Sequence, residues 1–216
     1  MSTLYDIYNL ALARVKSNKL LYDGGPSEMA KEAELCALFY PIARDAVLES
    51  AYWDFTTRRS VLTLWGTENG AGTRADPKSP TNWAFSYLAP YDMLKARDIV
   101  GYRNPTLQQR IPFEVVSEEW EETSPPLAMK VICTDQEDAE LIYTALIDEV
   151  LFFTPLFVSA VAWAMAIELN MALSKGLNDS TLRASLQLDI NRAVASNYGE
   201  GRSDVPNDSP FVTDYR

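Results

Sequence analysis

From Val150 to Ile167 the chain is apolar apart from Thr154 and Ser159. Thr154 is a fitting N-cap, and Pro155 suits the first helical position, where proline has no amide proton to leave unpaired. The pattern predicts a helix from Pro155 to about Ser174 that is apolar nearly all round. Glu168 stands alone on its surface, and Ser159 and Asn170 share another face. A helix of this kind must be buried on every side. Its alternating Ala160, Ala162, Ala164 and Ala166 would let neighbouring helices come close. As a membrane span it is at the lower limit of length, it lacks a cationic flank, and an acidic segment precedes it. The expectation is a core helix and no membrane partner.

The neighbours that could enclose it are readable on both sides. Thr3 can cap a first helix, with Asp6 as the capping-box acid and Leu4, Ile7, Tyr8, Ala11 and Val15 on one face. A turn is expected at Asp23-Gly24-Gly25-Pro26, and Ser27 with Glu28 opens a second helical pattern. Its stripe of Cys36, Phe39, Ala43, Val47 and Ala51 passes through Pro41, where the helix kinks or a new one starts. After the apolar helix, Asp179 to about Tyr198 shows one stripe of Leu182, Leu186, Ile190, Ala193 and Val194, with Gly199 placed to end it. This last helix would cover the apolar one.

Between these helices the pattern turns extended. Ser60 to Leu64, Trp83 to Tyr87, Phe113 to Val116, Met129 to Thr134 and Leu141 to Leu146 read as strands. Leu94 to Val100 reads as a short partner after Pro90, and Gly66 to Pro80 as a long loop. Ser124-Pro125-Pro126 and Asp135 to Asp138 read as turns. The fold class expected is α+β, predominantly α. Helices in 1–52 and a helix pair in 150–198 complete one bundle, a small antiparallel β part occupies 53–149, and an extended tail runs over 199–216. A single chain offers few neighbours for so apolar a helix, so copies of the chain are expected to share in covering it. Phe157, Trp163 and Met165 are the subunit-packing candidates, with Arg58 and Arg59 as a pair able to hold a partner's carboxylate.

The chain has 19 basic and 30 acidic residues and no histidine, for a net charge of -11. Without histidine, Ser-His and Cys-His nucleophile pairs, imidazole zinc sites and histidine pH switches are excluded. Residues 112–150 hold one basic and 11 acidic side chains, so nearly all the net charge sits there. Such a segment repels phosphates, which argues against duplex binding through a basic face. Cys36 and Cys133 lie far apart in apolar surroundings and read as buried free thiols of a reducing compartment. The N-terminus Met1-Ser2-Thr3-Leu4 lacks the basic and apolar stretches of a secretory leader.

Glu118-Glu119-Trp120-Glu121-Glu122 is the one dense carboxylate run. A catalytic pair needs carboxyls in unlike environments, and calcium needs turn glycines with alternating oxygen ligands. The run has neither, and reads first as a solvated turn or edge. Gly66 to Gly72 lacks the lysine of a phosphate loop. No catalytic residue, cofactor or metal ligand is therefore expected. An enzyme using two carboxylates, such as a wall-degrading hydrolase, and a protein-interaction module remain the open readings of these residues. The polar linker after Tyr198 ends in Phe211, Tyr215 and Arg216, residue types that serve as binding anchors.

Three blocks in order carry a resemblance. They are Cys36, Phe39-Tyr40-Pro41, Ala43-Arg44-Asp45, Leu48, Trp53-Asp54-Phe55, Arg58 or Arg59 and Leu62; then Trp83 to Tyr87 with Pro90 and Asp92; then Asp148, Phe153, Pro155 and Phe157 leading into an alanine-rich helix. Over residues 3 to 198 the chain resembles phage head-to-tail adaptor proteins, the group that includes tail tubular protein A. The resemblance implies a structural virion protein, made in the host cytoplasm. Its copies would form a ring, typically twelvefold, between the portal and the tail or nozzle protein, with a channel for double-stranded DNA. It implies portal docking through the C-terminal segment, hence Phe211, Tyr215 and Arg216. Glu118, Glu119, Glu121 and Glu122 are the channel candidates, where negative charge would keep DNA from adhering.

Overall fold

The computed structural model describes residues 3–17, 21, 31–65, 83–101, 111–120 and 127–201. The turn at Asp23 to Pro26, the helix start at Ser27, the loop Gly66 to Pro80, the turn at Ser124 to Pro126 and the tail anchors lie outside the described residues.

Helix α1, Leu4–Arg14, begins as its local chemistry dictates. Thr3 accepts from the Asp6 amide, and the Asp6 carboxylate accepts from the Thr3 amide at 2.7 Å, closing a capping box. Helix α2, Lys31–Ser50, runs unbroken through Pro41. The ring and the Ala37 carbonyl it leaves unbonded lie on the exposed side, where water can take the lost bond. Helix α3, Pro155–Ala172, is capped by Thr154 with Pro155 in its first turn. Helix α4, Asp179–Gly201, continues past Gly199. Between them Ser174 and Gly176 take positive φ angles of 49° and 66°, and Asn170 bonds both the amide and the carbonyl of Leu177.

Helix α3 is the centre of the helical layer. α1, α2 and α4 all pack against it, and within α3 only Pro155, Glu168 and Met171 are exposed. Its length and mean hydropathy of 1.4 would suffice to cross a membrane. With three helices around it, burial of the apolar surface needs no lipid. Nor does it need a second copy. Phe157 and Met165 are 0% exposed inside one protomer, and Trp163 is half-buried beneath Arg14. As subunit-packing residues Phe157 and Met165 are therefore corrected: their surfaces are already covered within the chain.

The strands are β1 (Thr57–Val61), β2 (Thr63–Leu64), β3 (Phe85–Leu88), β4 (Met93–Gly101), β5 (Phe113–Trp120), β6 (Leu127–Thr134) and β7 (Ala139–Ala145). They form two antiparallel sheets, one in the order β1-β7-β4 and one in the order β2-β3-β6-β5. The expected class, a predominantly α bundle with a small β part, does not hold. Strands make up about 27% of the fold, and the architecture is mixed α and β, with four helices among the described residues. The reason is that the β part has a core of its own. Leu62, Tyr87, Met93, Ile99, Ile132, Leu141 and Tyr143 are buried together, drawn from both sheets. The four-stranded sheet is apolar on both faces: Val131 and Cys133, flanking Ile132, join Trp65 in a separate cluster.

The chain changes sheets at Leu62, between Leu88 and Met93, between Gly101 and Phe113, and between Thr134 and Ala139. At the second of these corners β4 departs from its expected place. It pairs with β7 in the other sheet, not with β3. Pro90 has no amide proton to continue the β3 ladder, and its carbonyl instead accepts from the Met93 amide at 3.0 Å to close the turn. Register shifts in β4 free Arg97 to bond Thr144 and the Ala51 carbonyl, which ties the sheet to the end of α2. Phe153 packs on both the helical and the sheet core and joins them.

Candidate interaction surface

Arg58 on β1 lies directly across from Tyr143 on β7. The Pro90-Tyr91-Asp92 corner brings a carboxylate to both. Arg58 contacts Asp92 Oδ2 at 2.6 Å, and the Tyr143 hydroxyl donates to Asp92 Oδ1 at 3.0 Å. These groups line an open cleft of about 410 Å³ together with Ser60, Val61 and Tyr91. Tyr91 is 99% exposed and Val61 59%. The cleft therefore combines a fixed polar floor with apolar side chains free to meet a partner. Both carboxylate oxygens of Asp92 are engaged, whereas Arg58 gives one contact from a guanidinium with five donors. The chemistry on offer is recognition of a carboxylate or a carbonyl. Arg58 was a candidate from sequence; Asp92 stands in the Pro-x-Asp pattern, and Tyr143 carries no sequence signal beyond its strand.

The other described candidates stand outside the cleft. Arg59 pairs with Glu140 at 2.6 Å on the opposite face of β1. Glu118 is half-buried on β5, and Glu119 belongs to the same strand. Glu121, Glu122, Phe211, Tyr215 and Arg216 lie outside the described residues. Several acids of the segment are engaged in tertiary contacts. Glu114 accepts from the Trp83 indole, Asp135 from the Ala84 amide, and Glu140 and Asp148 pair with Arg59 and Arg44. Among the described residues, no group of three or more acidic or cysteine side chains is placed to hold a metal ion.

A second cluster sits where helices meet sheets. Phe157 packs edge-on to Trp53, Phe55 and Phe153 at centroid distances of 4.9, 5.1 and 4.6 Å. Beside it, buried Arg44 is held by Asp45 and Asp148.

Burial holds phenols here in the neutral form. Tyr143 is pushed up to about 12 by burial and then by its bond to Asp92, and Tyr8 to about 12 by burial. A phenol raised in the fold adds stability that is full below its unfolded value near 10 and is lost as pH rises through about 12. Spectrophotometric titration of the 11 tyrosines should show a late-ionising set. Tyr143→Phe should remove one phenol from it; an unchanged late set would show that Tyr143 ionises freely.

No family model matches the chain, and no curated protein matches it.

Proposed function

We propose that the chain is a structural virion protein, the subunit of a head-to-tail adaptor ring that joins the portal to the tail and surrounds the path of double-stranded DNA. The supporting observation is where the residues behind the resemblance meet. Arg44 of the first block holds Asp148 of the third, Trp53 and Phe55 pack on Phe157, and Phe55 on Phe153. Arg58 of the first block holds Asp92 of the second. Residues from three separate parts of the chain thus build two contact sites, the aromatic junction between helices and sheets and the cleft at the Pro90 to Asp92 corner.

The ring is proposed as twelvefold, with portal docking through the segment that follows α4. Negative-stain images of the purified protein, and of the particles that contain it, should show rings with a central channel. A species of protomer mass at every concentration in light scattering, together with particles that lack such a ring, would overturn the assignment.

A further inference from the structure

Among the described residues, β1 ends the three-stranded sheet and β5 ends the four-stranded one, with no strand on the outer side of either. An open edge presents unpaired backbone N–H and C=O groups and is a template for another strand. The two edges carry opposite charge. On β1, the Arg58 and Arg59 side chains are 51% and 47% exposed, and each engages a single carboxylate with other donors to spare. On β5, Glu114 is exposed and Glu118 half-buried. Each edge also exposes a valine, Val61 on β1 and Val115 on β5.

Charges on edge strands commonly guard against pairing. A guard works between copies of one chain when the edges carry the same sign, so that copies repel. Here the charged side chains differ in sign, and although Asp92 and Glu140 offset part of the arginine charge, the spare guanidinium donors favour a head-to-tail contact over a like-with-like one. A contact between two different surfaces of one chain is heterologous, and it repeats until a ring closes or a filament grows.

We propose that the outer edge of β1 in one copy pairs with the outer edge of β5 in the next, with Val61 and Val115 in the apolar centre and Arg58 and Arg59 flanking the acidic strand on its two faces. The closure of this contact into a ring rests on the adaptor reading; the contact itself does not. Glu118 then meets a neighbouring subunit instead of a DNA channel.

The test uses two single variants of the full chain, Val61→Cys and Val115→Cys, mixed and treated with a short thiol cross-linker. Cys36 and Cys133 are buried and stay out of the reaction. A linker that spans one or two residues removes dependence on register. The mixture should give a covalent dimer in roughly tenfold excess over either variant alone, because a docked neighbour raises the local thiol concentration. Adding Glu118→Lys to the Val115→Cys chain, or raising salt to about 0.5 M, should lower that yield several-fold. Equal product from Val61→Cys alone would overturn the contact in favour of a symmetric β1 pair. Rings in negative stain without the mixed product would overturn the contact and leave the adaptor reading intact. Mixed product in open filaments would support the contact and count against the closed ring. Neither product nor rings would overturn both.

Discussion

Replacing Phe157 by alanine is expected to lower the unfolding free energy by about 3–5 kcal/mol, the range for deleting a fully buried aromatic ring. The side chain is 0% exposed and meets three other rings edge-on, each such pair adding about 0.5–1.5 kcal/mol beyond the area it buries. Collapse of the cavity is restricted. Trp53 is held by its indole N–H on the Val47 carbonyl at 2.9 Å, and Phe157 itself lies in the first turn of α3, which Thr154 caps. The upper part of the range is therefore expected. Phe157→Leu, which keeps most of the volume, should lose less than half as much. Because Phe153 beside it packs on both cores, the alanine variant should also loosen the coupling of helices to sheets. Urea unfolding followed by tryptophan fluorescence and by far-ultraviolet circular dichroism separates these effects. Wild-type curves should coincide, and the alanine curves should shift to lower urea and separate. A loss under about 1 kcal/mol with coincident curves would mean that the junction is not where the two layers are held together.

What is legible in the sequence follows the range of the physics involved. The capping box of Thr3 with Asp6 and the start of α3 at Thr154-Pro155 rest on bonds spanning four residues, and both stand in the structure as read. The enclosure of α3 is legible in its lack of a polar face. The number of neighbours is not, because it depends on how α1, α2 and α4 are placed. For that reason Phe157 and Met165 read as surfaces for other copies while the chain covers them itself. The strands are legible in place, but not their division into two sheets. That division rests on corners at Leu62, at Pro90 to Asp92 and after Thr134, and on the return between Gly101 and Phe113, set by what each strand packs against. The cleft shows the same limit. Arg58 is conspicuous beside Arg59, and Asp92 follows a turn proline, but their meeting with Tyr143 exists only once β1 pairs with β7. Net charge is additive and so is readable, whereas the partners of Glu114, Asp135, Glu140 and Asp148 are tertiary.

Removing the carboxylate of Asp189 should be the most damaging single change in the polar interior of the helical layer. Arg14 of α1 donates to the backbone carbonyl and to the hydroxyl of Ser159 on α3, both at 2.6 Å, and its guanidinium lies 3.9 Å from the centre of the Trp163 ring. The Ser159 hydroxyl donates in turn to Asp189 of α4 at 2.5 Å. Three helices are thus connected through one hydroxyl. Burial pushes the Arg14 guanidinium down to about 10, and the charge of Asp189 opposes that shift. At neutral pH Arg14 remains a cation, so burial makes it a cost that Asp189 offsets. Asp189→Ala removes the offset and leaves the Ser159 hydroxyl without its acceptor. The expected loss is about 2–3 kcal/mol, below the 3–5 kcal/mol of a fully enclosed pair because Arg14 keeps some contact with water. The same reasoning predicts that Arg14→Met combined with Asp189→Leu recovers most of that loss, since no charge is then left unpaired in an apolar setting. Chemical denaturation of Arg14→Met, Asp189→Leu and the double variant, read as a thermodynamic cycle, checks this. If the single losses simply add in the double variant, Arg14 and Asp189 do not act through Ser159, and α1 and α4 are held on α3 by apolar packing alone.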